Sequence, residues 1–305
     1  MSRFLDTLRE VSRSQVVPAE IPPNGQAEGA APTDRPDRFP LVDLPDVTEP
    51  MMQEATARVE LRRDELPPIN TAPQQDGVTV KPVEMHLDRK TPLMPHTMDS
   101  SIVEQYRKLR TKIQQQHAVK PIRSLLIASP GPGEGKTVTV MNLGLSFAML
   151  PGFKVLVIDG DLRKSTVAKW LGTQQLPGLS NLIEGSSLPE EVIFKSESFP
   201  LYVMVAGTSE RPSAELLTSP RLPELIHRMS QHFDLVLVDS PPVNLITDAQ
   251  MLASSCDAVL LVARAFSTGT KAFQKTLTEL QHCRIVGTIL NAGMRARDYT
   301  KYYGY

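Results

Sequence analysis

The hydrophobic positions of this chain change rhythm twice. Up to residue 97 the apolar side chains are scattered, with two short exceptions. In "MSRFLDTLREVSRS", Phe4, Leu5, Leu8 and Val11 share one helical face, and "MMQEATARVELRRDEL" is compatible with a helix. The next stretch, "SSIVEQYRKLRTKIQQQ", repeats Ile102, Tyr106, Leu109 and Ile113 at helical spacing behind a capping box of Ser101 and Glu104. It predicts a helix of about four turns that opens the folded domain. From Arg123 onward the pattern becomes a series of short, nearly continuous apolar runs: "RSLLIAS", "FKVLVIDGD", "LYVMVAG", "FDLVLVDSPP", "CDAVLLVAR" and "CRIVGTILN". Helical stretches at 136–150, 213–231 and 270–283 lie between several of them. Strands apolar on both faces, alternating with helices, predict an α/β fold with a mainly parallel sheet and helices on both faces.

Composition sharpens the boundary. Residues 1–95 hold 14 of the 26 prolines and two aromatics, Phe4 and Phe39. So little apolar surface does not offset the entropy of ordering the chain, so 1–97 is expected to be a mostly disordered, proline-rich linker. Its two helix-compatible stretches are either transient or dock on a partner. The folded domain is expected at 98–291, with a flexible tail at 292–305. A formal net charge of -1 gives no argument for nucleic acid. Cys256 and Cys283 read as unpaired thiols of a reducing compartment. No window approaches the roughly 18 apolar residues of a membrane span, and the N-terminus lacks the apolar core of a signal peptide. The expectation is a cytoplasmic protein that reaches the inner membrane peripherally, through a partner.

The chemistry concentrates in "ASPGPGEGKTVTV". A strand precedes this glycine-rich turn and a helix follows it. Gly131, Gly133 and Gly135 let backbone N–H groups curl around phosphate oxygens, with Pro132 and Glu134 between them. The helix beginning near Gly135, with Val138 in its first turn, aims its positive end at the same anion. Lys136 can reach the β- and γ-phosphates of a nucleotide, and the Thr137 hydroxyl can ligate Mg²⁺. Pro130 stands where the strict pattern has its first glycine. Asp159 and Asp161 follow one buried strand and Asp239 another, at the strand ends where open parallel sheets bind ligands. His227 and His232 do not share a helix face and complete no zinc pattern, and Trp170 reads as packing.

These residues resemble the bacterial tyrosine kinases, P-loop autokinases of capsule and exopolysaccharide synthesis. The resemblance covers about 98–305. It rests on "PGEGKT", on D-x-D-x-R at Asp159, Asp161 and Arg163, and on D-x-P-P at Asp239, Pro241 and Pro242. It rests also on E-x-x-R-x-x-R at Glu104, Arg107 and Arg110, and on the terminal "RDYTKYYGY", which holds four of six tyrosines: Tyr299, Tyr302, Tyr303 and Tyr305. The resemblance implies a P-loop NTPase fold and an ATP- and Mg²⁺-dependent kinase that phosphorylates those tyrosines on a neighbouring subunit. It implies that Lys136, Asp159, Asp161 and Asp239 are catalytic, with Asp159 the first choice of base. The metal would be held by Thr137, Asp161 and Asp239. Residues 131–138, Arg163 and Asn291 would bind nucleotide, Asn291 against the adenine. Glu104, Arg107 and Arg110, which on spacing alone read as a solvated stripe, would close a homo-oligomeric ring. Partners implied are a membrane activator of the chain-length-determinant type and a phosphotyrosine phosphatase. Two other readings stay open: a positioning ATPase of the partition or septum-site type, and an ATP-holding scaffold. Gly131 stands where the positioning class carries a second lysine, and that class has no use for a tyrosine tail.

Overall fold

The computed structural model describes residues 81–83, 100–170, 176–196 and 200–293. The two helix-compatible N-terminal stretches, the side chain of Trp170 and the tyrosine cluster lie outside the described residues.

The elements, in chain order, begin with β1 (Lys81–Val83), α1 (Ser100–Val119), β2 (Ser124–Ala128), α2 (Lys136–Ala148) and β3 (Val155–Asp159). Four short helices and two short strands follow: α3 (Val167–Trp170), α4 (Leu179–Glu184), α5 (Pro189–Val192), β4 (Phe194–Ser196), β5 (Tyr202–Met204) and α6 (Ser213–Leu217). The chain continues through α7 (Arg221–His232), β6 (Leu235–Asp239), α8 (Asp248–Ser254), β7 (Ala258–Arg264), α9 (Thr270–Glu279) and β8 (Ile285–Asn291). The strands form one sheet in the order β1-β4-β5-β3-β6-β2-β7-β8, and every pairing is parallel except β4 with β5.

The apolar runs become the middle of this sheet because both faces of each strand are covered. Every residue of β2, β3 and β6 is buried. Alternate residues point to opposite faces. Leu125, Ile127, Val155, Val157, Leu235 and Leu237 pack with Val140, Leu143 and Phe147 of α2 in one cluster. The other set is covered too: Val238 lies beside Leu252 of α8, both close to the Gly160 backbone. Helix α1 stacks outside α2. Of its predicted apolar face, Tyr106 and Leu109 pack against the core and Ile113 is 4% exposed, while Val103 joins the core cluster in place of the expected Ile102. The Tyr106 hydroxyl meets Asn142 and Thr139 of α2, and burial raises its pKa.

Three expectations change. Helix α1 starts at Ser100, so Ser101 sits in the first turn instead of capping it. The stretch 213–231 divides into α6 and α7 at Pro220, the residue before α7; proline lacks the N–H needed to continue a helix. Strands β1 and β4 have no apolar run to announce them, and β4 introduces the antiparallel pair. Cys256 and Cys283 are unpaired, and burial raises both thiol pKa values. No described helix is long and apolar enough to cross a membrane.

Candidate functional site

The strand order puts the chemistry in one place. Strand β6 lies between β2 and β3, with Asp239 opposite Ile127 on one side and Asp159 on the other. The phosphate loop leaves β2 one residue beyond that register. Two carboxylates and the loop thus share three adjacent strand ends, although the chain separates the loop from Asp239 by about a hundred residues.

The loop is held from outside. Arg264, at the end of β7, donates through Nη1 to the Gly133 carbonyl at 2.9 Å. Asn291, at the end of β8, donates through Nδ2 to the Glu134 carbonyl at 2.8 Å. In a trans peptide the C=O and the following N–H point in opposite directions. Fixing these two carbonyls therefore turns the N–H groups of Glu134 and Gly135 away from Arg264 and Asn291. Together with the first-turn N–H groups of α2, which have no acceptor within the helix, they could serve as anion donors. Gly135 has φ +97, and a Cβ there would lie 2.0 Å from Asn291 Nδ2. Asn291 is thus a clamp on the loop in this structure.

The charged groups inside are mostly buried. Lys136 is 8% exposed, and its Nζ donates to Ser129 Oγ at 2.8 Å and to the Gly131 carbonyl at 3.3 Å. Burial lowers its pKa, and the charges of Asp239, Glu134 and Asp161 oppose that shift. The Thr137 hydroxyl donates to Asp239 Oδ2 at 2.5 Å, and the Ser240 N–H donates to Oδ1 at 3.1 Å. Asp239 is pushed up to about 7, first by burial and next by the charge of Asp159. Asp159 is pushed up to about 6 by burial, although Ser165 Oγ and the N–H groups of Thr166 and Val167 all donate to its Oδ2. Among the described residues, its Oδ1 accepts only the Asp161 N–H, at 3.2 Å. The Asp161 carboxylate is partly exposed and accepts the Lys164 N–H at 2.9 Å, closing the turn after β3.

Arg163 is paired with the start of α8. Its Nε donates at 2.9 Å to Asp248, whose side chain is 2% exposed and also accepts the Ser213 hydroxyl at 2.9 Å. Asp248, Ser129, Ser165 and Arg264 escaped the sequence reading. Arg264 and Asp248 depend on partners far along the chain, whereas Ser129 and Ser165 are common polar residues that bond to nearby Lys136 and Asp159 and stand out only once those partners are in place. The leading-helix stripe also divides. Glu104 and Arg107 form an exposed pair at 3.7 Å, whereas Arg110 Nη1 donates to the Ser146 carbonyl near the end of α2. A cavity of about 400 Å³ lies beside Arg107 and Arg110, bounded also by Val103, Ser146, Met149 and Leu150.

The donor set fits Mg²⁺. Thr137 and Asp239 already bring two oxygen donors together, and Asp159 and Asp239 crowd negative charge into a buried place that a cation would relieve. No group of three or more His, Cys, Asp or Glu among the described residues makes a metal site unaided.

The family model described as the AAA domain matches residues 124–286. The chain is 34% identical over 204 residues to tyrosine-protein kinase YwqD of Bacillus subtilis, covering 66% of this chain and 85% of that one. It is 29% identical over 191 residues to tyrosine-protein kinase CpsD of Streptococcus pneumoniae, covering 62% and 83%. The kinase domain of Escherichia coli tyrosine kinase ETK superposes with a TM-score of 0.62 at 28% identity, over 77% of this chain and 99% of that one. The matched segment begins at β2 and includes the loop and the strand-end aspartates, and nearly the whole of a solved kinase domain overlays the fold that positions them. The chain therefore belongs to the bacterial tyrosine-protein kinase family.

Proposed function

We propose that this protein transfers the γ-phosphoryl group of ATP to Tyr299, Tyr302, Tyr303 and Tyr305 of a neighbouring copy. The observation that carries this is the alignment of the phosphate loop with Asp239 and Asp159 on adjacent strand ends, beside a sequence that ends in a tyrosine cluster. The loop N–H groups and Lys136 would bind the phosphates. Thr137, Asp239 and Asp161 would hold Mg²⁺, which when bound neutralises charge on the phosphates. A tyrosine oxygen attacks the γ-phosphorus, the bond to the β-phosphate oxygen breaks, and ADP leaves. The phenolic proton must go to a base, since a phenol has a pKa of about 10. Asp159 would take it. Its folded pKa of about 6 suits proton transfer near neutrality, and Oδ1, with a single N–H donor among the described residues, is the oxygen with capacity left. Lys136 supplies positive charge to a loose transition state that gains little from covalent chemistry and much from positioning.

The same proposal includes the assembly. A head-to-tail ring through Glu104, Arg107 and the cavity beside Arg110 would present each tail to the next site. Phosphates of about −2 charge on one tail repel each other, so phosphorylation would open the ring. The membrane activator, the phosphatase and a role in exopolysaccharide or capsule export belong to this proposal. The test incubates the full chain with ATP and Mg²⁺ and maps phosphotyrosine by mass spectrometry, with Lys136→Met as control. Phosphate on the tail of the wild type alone supports the kinase. ATP hydrolysis without phosphotyrosine rejects it.

A further inference from the structure

Glu134 is 6% exposed, although it sits in the middle of the glycine-rich turn that follows β2, a central strand of the sheet. A carboxylate is electrostatically out of place there, because it competes with phosphate for the same donors. Its Oε1 lies 3.4 Å from where a Cβ on Gly131 would be, so the side chain folds back across the loop. Its Oε2 is sealed from solvent and has no hydrogen-bond partner among the described residues. Burial raises its pKa, while the Thr268 hydroxyl, the Lys136 ammonium, the Gly131 N–H and the Ser129 hydroxyl draw it back down. Lys136 and the Gly131 N–H are groups that a phosphate loop turns on its ligand. Lys136 is itself bent back onto Ser129 and the Gly131 carbonyl.

We infer that Glu134 is a placeholder: its carboxylate stands among the phosphate-binding groups of the resting loop, and a nucleotide must displace it to bind. This rests on the nucleotide-binding reading of the site. The exchange needs only side-chain rotation. The backbone on either side stays tied, because the Gly133 carbonyl is held by Arg264 and the Glu134 carbonyl by Asn291. Binding then has a built-in competitor. Apparent affinity falls by the fraction of time the loop is open, and Glu134 can re-enter as ADP leaves, which speeds product release.

The experiment measures ADP binding, with Mg²⁺, to the full-length wild type and to Glu134→Gln and Glu134→Ala by titration calorimetry, and ADP dissociation by stopped flow. Both variants are expected to bind ADP about tenfold more tightly, as when the open loop is populated about one-tenth of the time, with dissociation slowed. Glu134→Gln keeps the side chain's shape, so it decides the question if the alanine variant folds poorly. Variants that bind equally or more weakly than a binding-competent wild type overturn the placeholder and leave the nucleotide site standing. No ADP binding by the wild type overturns both.

Discussion

Asp159 and Asp239 stand opposite each other as the last residues of β3 and β6, two carboxylates on neighbouring buried strand ends. Their folded pKa values of about 6 and about 7 lie above the ordinary carboxylate value. Between about pH 4 and pH 7 the folded chain therefore binds more protons than the unfolded one, and stability falls as pH rises through that window. Asp239→Asn removes the charge but keeps an acceptor for Thr137. Without nucleotide or divalent cation, the variant should melt above the wild type at about pH 8, and that advantage should vanish near pH 4. An equal difference at both ends of the range would remove the charge-crowding account.

The bond between Thr137 and Asp239 links the loop to β6 at 2.5 Å. Thr137→Val keeps the shape of the side chain and removes the hydroxyl. Tail phosphorylation should drop by at least about a hundredfold, the scale of losing one charge-stabilising group, while the melting temperature moves by only a few degrees. Asp239→Asn should lose activity to a similar degree. Single-turnover phosphotyrosine formation measures both.

Gly135 and Asn291 form a steric pair. Gly135→Ala meets Asn291 Nδ2 at 2.0 Å and must also adopt φ +97. Loss of ATP binding is expected. Gly135→Ala with Asn291→Ala removes the collision but retains the backbone strain, about 1–2 kcal/mol for a non-glycine residue there, and should recover part of the binding. A double mutant no better than Gly135→Ala alone would show that the backbone conformation, not the clamp, sets the requirement.

Arg163 is the half-exposed partner of a buried carboxylate, at 51% against 2% side-chain exposure. Arg163→Ala leaves Asp248 with the Ser213 hydroxyl. The expected cost is about 1–2 kcal/mol of stability, reduced from the value for a fully buried pair by the exposure of Arg163. Denaturant unfolding measures it. If Arg163 also touches nucleotide, the KM for ATP rises well beyond what the stability loss explains.

The tail proposal separates by mass. Wild type allowed to phosphorylate itself should sediment as a smaller species than Lys136→Met, and Phe at positions 299, 302, 303 and 305 should abolish the difference. An unchanged mass between the two preparations would end the ring-opening idea.

The linear order of residues determined much of this protein. Continuous apolar runs at 123–129, 153–161 and 233–242 can be stable only when covered on both faces, so the parallel sheet was legible. The glycine spacing and the G-K-T that follows it made the phosphate loop legible, because its chemistry is local. The tyrosine cluster needed no fold at all to be noticed. Tertiary structure alone decided what depends on strand order. Insertion of β6 between β2 and β3 brings Asp239 to Thr137, 102 positions away. The same assembly recruits Arg264 and Asn291 as loop clamps, ties Arg163 to Asp248 and folds Glu134 inward. It also adds β1 and β4, whose three-residue lengths carry no pattern of their own. Local propensity and periodicity act over a few residues, whereas a hydrogen bond across the sheet depends on which strands the packed core makes neighbours.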